Sequence, residues 1–171
     1  MTRLVRRRLA LVGLLALLTA MSACLSPRGP VWADTLSASE RLELFASLPA
    51  EAAETLIPLS EIFYSRITSR RFNSRATFED PSVRQFFPTL AAYSDYYAAL
   101  VDALGRANIR YSRPTEVRLL AIEIDPGGSL YLSLRLVGRN DLPLRVWDAV
   151  LLRTDEWRWQ DGRWWVVPGK V

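Results

Sequence analysis

Trp157-Arg158-Trp159-Gln160-Asp161-Gly162-Arg163-Trp164-Trp165 is the stretch whose reading decides the fold. Asp-Gly between two alternating runs marks a two-residue hairpin turn, because both central residues of that turn take positive φ. This geometry sets Trp159 opposite Trp164 and Trp157 opposite Val166. One face of the hairpin is then three tryptophans and a valine, while Glu156, Arg158, Arg163 and Trp165 take the other. Cross-strand aromatic pairs contribute about 0.5–1.5 kcal/mol beyond simple burial, enough to pin a sheet register.

Upstream of the hairpin the same period of two continues back to Pro114. Thr115 to Asp125 reads as a strand, turned by Pro126-Gly127-Gly128. From Ser129 to Val137, Leu130, Leu132, Leu134 and Leu136 alternate with Tyr131, Ser133 and Arg135, a half-buried antiparallel signature. Asn140-Asp141 marks the next turn, and a third strand is predicted over Leu144 to Arg153, before the hairpin strands Asp155 to Gln160 and Arg163 to Val167.

Before Pro114 the period is 3.6. Ser37-x-x-Glu40 reads as a capping box opening a helix from Ala38 to Ala46, and Pro49 opens a second helical stretch. Pro58 is expected to restart or kink it, leaving Leu59, Ile62, Phe63 and Ile67 on one face and Ser60, Glu61, Arg66 and Arg70 on the other. Asp80-Pro81 is an N-cap with proline at the first helical position. The third main helix runs from Leu90 to Leu104, with the stripe Leu90, Tyr93, Tyr97, Leu100, Val101 and Leu104, and Gly105 as its expected cap. Helices followed by antiparallel strands predict an α+β domain, N-terminal helices packed on a curved antiparallel sheet.

The chain resembles the NTF2-like superfamily, a cone-shaped α+β fold. The likeness rests on Glu61 to Ile67, the Phe78-Glu79-Asp80-Pro81 break, the Tyr-rich third helix and the closing Trp157 to Trp164 stretch, and covers about Leu56 to Val167. It implies a cone between helices and sheet that can serve as a ligand pocket, in a fold that hosts enzymes, ligand binders and assembly modules alike. If the even face of the predicted third strand points inward, Asp148 is a carboxylate among Leu144, Val146, Val150 and Leu152, a candidate polar anchor or general base. Pairing with an arginine or a tyrosine hydroxyl on the helices, or a place at a frayed edge, is its simpler fate. Tyr93, Tyr96 and Tyr97 can present hydroxyls to the same cavity, although aromatics at helical spacing are more often core; Tyr93 and Tyr97 complete the candidate pocket with Asp148. Arg158 beside Trp165 suggests a cation–π contact on an exposed face.

The N-terminal stretch carries a different message. Arg3, Arg6, Arg7 and Arg8 precede the apolar run Leu9 to Leu18, and Met21-Ser22-Ala23-Cys24 follows, with Cys24 the only cysteine in the chain. The order of basic, apolar and small residues is that of a secretory leader. The stretch resembles the lipobox of bacterial lipoproteins, with Met21 where leucine is commonest. That resemblance implies a diacylglyceryl group on the Cys24 thiol, cleavage before it, and a mature protein held in the membrane by its lipid. Cleavage by ordinary signal peptidase, after Ala23 or at Val31-Trp32-Ala33, retention as an uncleaved anchor, and Cys24 as an incidental buried thiol are the competing outcomes. Residues 1–23 are thus read as leader, 24–36 as a turn-rich tether reaching at most ~40 Å, and 37–171 as one domain.

Composition removes several classes of function. The chain holds 22 Lys+Arg against 18 Asp+Glu, and four of the arginines lie in the leader, so the remainder is charge-balanced and nucleic acid is not an expected partner. There is no histidine, hence no histidine-based acid/base pair or triad and no imidazole zinc site. No phosphate-binding glycine loop is present, since Gly127-Gly128 sits in a hairpin turn, and no cofactor or metal is expected. The expected function is a non-catalytic, lipid-anchored envelope lipoprotein whose domain binds a small apolar ligand, a lipid or an envelope protein. An acid/base isomerase or dehydratase using Asp148, and an assembly module docking through the surface around Trp165, are the alternatives. In the enteric lipoproteins that the leader resembles, aspartate after the cysteine keeps the protein at the inner membrane; Leu25 in that place implies, on that resemblance, the periplasmic face of the outer membrane.

Overall fold

The computed structural model of the chain describes residues 37–169. Among them, five helices precede four strands: α1 (Ala38–Phe45), α2 (Ala50–Ile67), α3 (Arg75–Phe78), α4 (Pro81–Arg84) and α5 (Leu90–Arg106), a 3-10 turn (Arg110–Ser112), then β1 (Glu116–Ile124), β2 (Ser129–Arg139), β3 (Asp148–Gln160) and β4 (Arg163–Val167). The strands form one open antiparallel sheet in the order β1-β2-β3-β4. The fold is α+β, with α2 and α5 laid on one face of the sheet.

The hairpin is as its sequence dictates. Asp161 and Gly162 both take positive φ, 54° and 73°, and Trp159 pairs with Trp164 and Trp157 with Val166. The Trp159 and Trp164 rings meet edge to face at 5.3 Å. The cation over Trp165, however, is Arg163 at 5.3 Å; Arg158, its cross-strand neighbour, is taken by Glu156 at 2.7 Å.

Four expectations are corrected. Helix α2 runs unbroken through Pro58; Pro58 and Glu54 are both exposed, so the hydrogen bond that proline removes lies on the solvent side of the helix. Its buried face is Leu56, Ser60, Phe63, Tyr64 and Ile67, rotated from the expected one, so that Ile62 is exposed. Ser60 tolerates burial because its hydroxyl donates to the Ile57 carbonyl at 3.0 Å. Helix α5 passes Gly105 and ends where Asn108 takes φ 57°, with the Ile109 amide donating back to the Leu104 carbonyl at 3.0 Å; asparagine takes the left-handed capping position assigned to glycine.

The fourth correction moves a strand. Residues 140–147 are loop, and the predicted third strand and the first hairpin strand are one continuous β3. Leu144 has φ 64°, a left-handed backbone that no strand accommodates. The loop is shaped by the Asn140 side chain accepting from the Leu142 amide at 2.9 Å.

Phe63 lies at the centre of the core. Its ring packs against Tyr64, Phe86, Tyr96 and Trp157 at centroid distances of 4.9, 5.2, 5.7 and 5.5 Å. Thus α2, the segment after α4, α5 and β3 all converge on one side chain. Trp164 adds a polar clasp, its indole N–H donating to the Ala52 carbonyl at 3.1 Å. Phe63→Ala is expected to cost about 3–5 kcal/mol of unfolding free energy, read by urea denaturation of the full chain. A loss below about 1 kcal/mol would show that the core does not converge there.

Candidate functional site

The inward face of β3 is Ala149, Leu151, Arg153, Asp155, Trp157 and Trp159, by the alternation of its burial. Two charged residues therefore point at the helices. Asp155 is only 3% exposed and is saturated by its neighbours. One carboxylate oxygen, Oδ2, accepts the Tyr64 hydroxyl from α2 and the Tyr96 hydroxyl from α5, both at 2.8 Å. The other, Oδ1, accepts Arg153 Nε at 2.5 Å. Trp157 Nε1 donates to the Tyr64 hydroxyl oxygen at 3.1 Å, and the Arg153 guanidinium lies 4.9 Å from the Tyr96 ring centroid.

Burial, and then the Asp155 charge, push the Tyr64 and Tyr96 hydroxyls well above the usual phenol range. Burial works against the Arg153 charge, but Tyr96 and Asp155 more than offset it and raise its pKa. The two phenols are locked as donors and Arg153 as a cation. Such a set holds a charge in place; with the Asp155 oxygens occupied by side chains of the same domain, it is built to brace the fold rather than to exchange protons with a substrate.

The sequence-derived candidates fall elsewhere. Cys24 and the leader lie outside the described residues. Asp148 is exposed at the start of β3, paired in register with Arg139; its strand face turns outward, with Val150 and Leu152 also exposed. A carboxylate there is hydrated, so the general-base reading of Asp148 loses the enclosed setting it requires. Tyr93 and Tyr97 are not brought to Asp148. Their hydroxyls donate to the Thr77 and Ser74 carbonyls at 3.0 and 3.1 Å, tying α5 to the α3 turn, and their rings pack on Phe78 at 5.4 and 5.2 Å. Burial raises both phenols. The carboxylate among tyrosines is Asp155, and parity with Trp157 and Trp159 was the signal that could have found it.

The outward face offers a different kind of surface. Leu144 and Val146 are 97% and 96% exposed, Leu152 is 68% exposed, and Trp147 and Val150 accompany them. Arg145 lies 5.5 Å over the Trp147 ring. On the sheet, Leu152 is flanked by Arg135, and Arg135 in turn by Arg118. A fully exposed leucine held in a left-handed conformation is disfavoured twice over, a combination found where a surface is used.

Comparison with protein-family models, curated proteins and solved structures gave no match.

The tyrosine shifts have a consequence at alkaline pH. Unfolded, both phenols lose their protons near the ordinary value of 10; folded, they keep them to higher pH. Their contribution to stability is therefore full below about pH 10 and is lost as pH rises beyond it. Thermal melts are expected to be level from neutral pH to about 9.5 and to fall steeply above. Tyr64→Phe with Tyr96→Phe should reduce that fall, Tyr93 and Tyr97 keeping their share, while costing at least about 1–3 kcal/mol at neutral pH, since a buried carboxylate loses two donors. An unchanged alkaline slope in the double variant would exclude these two groups as its source.

Proposed function

We propose that the chain is a lipoprotein of the bacterial cell envelope, acylated at Cys24, whose domain is an NTF2-like cone that works by binding rather than by catalysis. Its partner is the lipid surface to which the anchor brings it, at the periplasmic side of the outer membrane. The observation that carries this reading is the loop at residues 140–147, with Leu144, Val146 and Trp147 turned to solvent and Arg145 stacked on Trp147. Apolar side chains that enter the acyl boundary, a tryptophan at headgroup depth and an arginine reaching phosphate are what an interfacial contact requires.

The anchor and the loop reinforce one another. Two or three acyl chains hold the protein stably at the bilayer, and a tether of ~40 Å at most keeps the local lipid concentration high. A weak apolar loop then needs little affinity of its own. The filled interior supports surface binding over an enclosed apolar ligand, since Phe63, Trp157, Tyr64 and Tyr96 occupy the space between helices and sheet.

Two measurements test the reading separately. Metabolic labelling with a fatty-acid analogue is expected to mark the protein, and Cys24→Ser to abolish the mark and remove the protein from its membrane fraction; a native N-terminus downstream of Cys24, or an unmodified thiol there, refutes acylation. For the loop, native protein reconstituted in vesicles with brominated acyl chains is expected to show tryptophan quenching. Most of that quenching should vanish in Trp147→Phe, and in Leu144→Asp with Val146→Asp. Quenching that is absent, or indifferent to these changes, refutes the bilayer contact.

A further inference from the structure

The end of the sheet that carries Arg139 also carries a cleft of about 450 Å³ lined by Arg71, Arg110, Tyr111, Arg113, Thr115 and Arg139. Four of its six lining residues are arginines, drawn from three separate segments: the turn after α2, the 3-10 turn with the residue following it, and the last residue of β2. Among the described residues, Arg71, Arg113 and Arg139 have no carboxylate at ion-pair distance, and Arg110 has one distant partner, Asp141 at 3.8 Å. Elsewhere arginines such as Arg70, Arg75, Arg106 and Arg158 have carboxylates at 2.7–2.8 Å. Arg66, Arg84, Arg135, Arg145 and Arg163 also have no carboxylate at ion-pair distance among the described residues; what sets the cleft apart is that four guanidinium groups line one cavity.

The backbone holds these cations together. The Phe72 amide donates to the Ser112 carbonyl at 3.0 Å, the Ser69 amide to the Pro114 carbonyl at 2.6 Å, and the Thr115 amide to the Val137 carbonyl at 2.7 Å. Tyr111 and Ser112 both sit at positive φ, 58° and 47°. That conformation presents the Tyr111 ring to two guanidinium groups, Arg71 at 4.6 Å and Arg110 at 4.9 Å, and Arg110 Nη2 also donates to the Tyr111 hydroxyl at 3.1 Å. An aromatic face aligns the planar cations and leaves N–H edges for a ligand.

We propose that this cleft binds a phosphate-bearing anion. Planar guanidinium forks match phosphate oxygens two at a time, and four cations suit a multiply charged group better than a single carboxylate. Like charges so placed repel one another, and a bound anion relieves that repulsion. The phosphate comes either from a soluble compound or from a lipid headgroup. The proposal stands apart from the loop's contact with acyl chains, which can fail without touching it.

The test uses the native protein in a neutral, non-ionic detergent. Calorimetric titration with pyrophosphate at fixed ionic strength probes the soluble source. Flotation with phosphatidylglycerol vesicles, against phosphatidylcholine vesicles, probes the lipid source. The pair Arg113→Gln with Arg139→Gln, and separately Arg71→Gln, are expected to weaken the binding at least tenfold, with circular dichroism unchanged. Arg75→Gln, which removes a charge of the α3 turn, should leave it intact. Arginine-dependent binding of pyrophosphate supports a soluble ligand, and arginine-dependent preference for phosphatidylglycerol alone supports a headgroup. In phosphate-free, low-salt buffer the double variant should also melt no lower than the parent, because a repulsion has been removed. Binding of neither probe, or binding that survives the cleft variants, overturns the proposal.

Discussion

A single buried carboxylate fixes the placement of three elements at once. Asp155 on β3 is reached by a hydroxyl from α2 and another from α5, while Arg153 on its own strand balances its charge. Burying an ion pair is costly unless every oxygen finds a donor in good geometry. Here that condition ties the helices to the sheet, since neither tyrosine can shift without leaving the charge short of a partner. The Trp157 indole continues the chain of donors to the Tyr64 oxygen, and Phe63 packs beside both rings. Polar specificity and aromatic packing therefore share one location. Greasy contacts alone fix such positions less uniquely, because apolar side chains exchange neighbours at little cost.

The same carboxylate explains which parts of the fold were legible in the sequence. Asp161-Gly162 and the tryptophans around it have a local cause, and turn, register and face all follow from it. The leucine alternation of β2 was equally plain. The phase of β3 was not. Leu144, Val146, Val150 and Leu152 look like a core-facing row, and Asp155 looks like the first residue of a separate hairpin strand. The inward row instead contains Arg153 and Asp155, a choice that makes sense only when Tyr64 and Tyr96 are known to meet them. Those partners lie 91 and 59 residues away in sequence, beyond any local pattern. Pro58 misled for a related reason: its helix-breaking effect depends on whether the orphaned carbonyl reaches water, which is a property of the folded surface.

Turning the apolar row outward has a cost that the fold does not recover internally. Leu144, Val146 and Leu152 are left in water, and Leu144 adds a backbone conformation worth roughly 1–2 kcal/mol of strain for a residue with a Cβ. Scattered exposed leucines need no explanation, but five large apolar residues exposed within nine positions of one segment, from Leu144 to Leu152, do. On the proposed reading the strip is solvent-exposed only in the isolated domain, and the acyl boundary of the bilayer covers it in place.

Gly138 connects that strip to the arginine cleft. A Cβ at this position would lie 2.6 Å from Ile109 Cγ2 and 3.0 Å from the Arg113 carbonyl oxygen, so only glycine lets the segment after α5 approach β2 this closely. That approach sets Arg110 and Arg113 beside Arg139. One residue further on, Asn140 bridges to Ile109 and the apolar loop departs. Both surfaces thus depend on one end of β2, where the backbone is clamped from either side. If the loop enters the acyl boundary as proposed, the guanidinium groups at its root come to the depth of lipid phosphates. If it does not, the same clamp still gathers four arginines around one cleft, where the proposed anion binds. The two surfaces are joined by the backbone, while the chemistry of each remains its own.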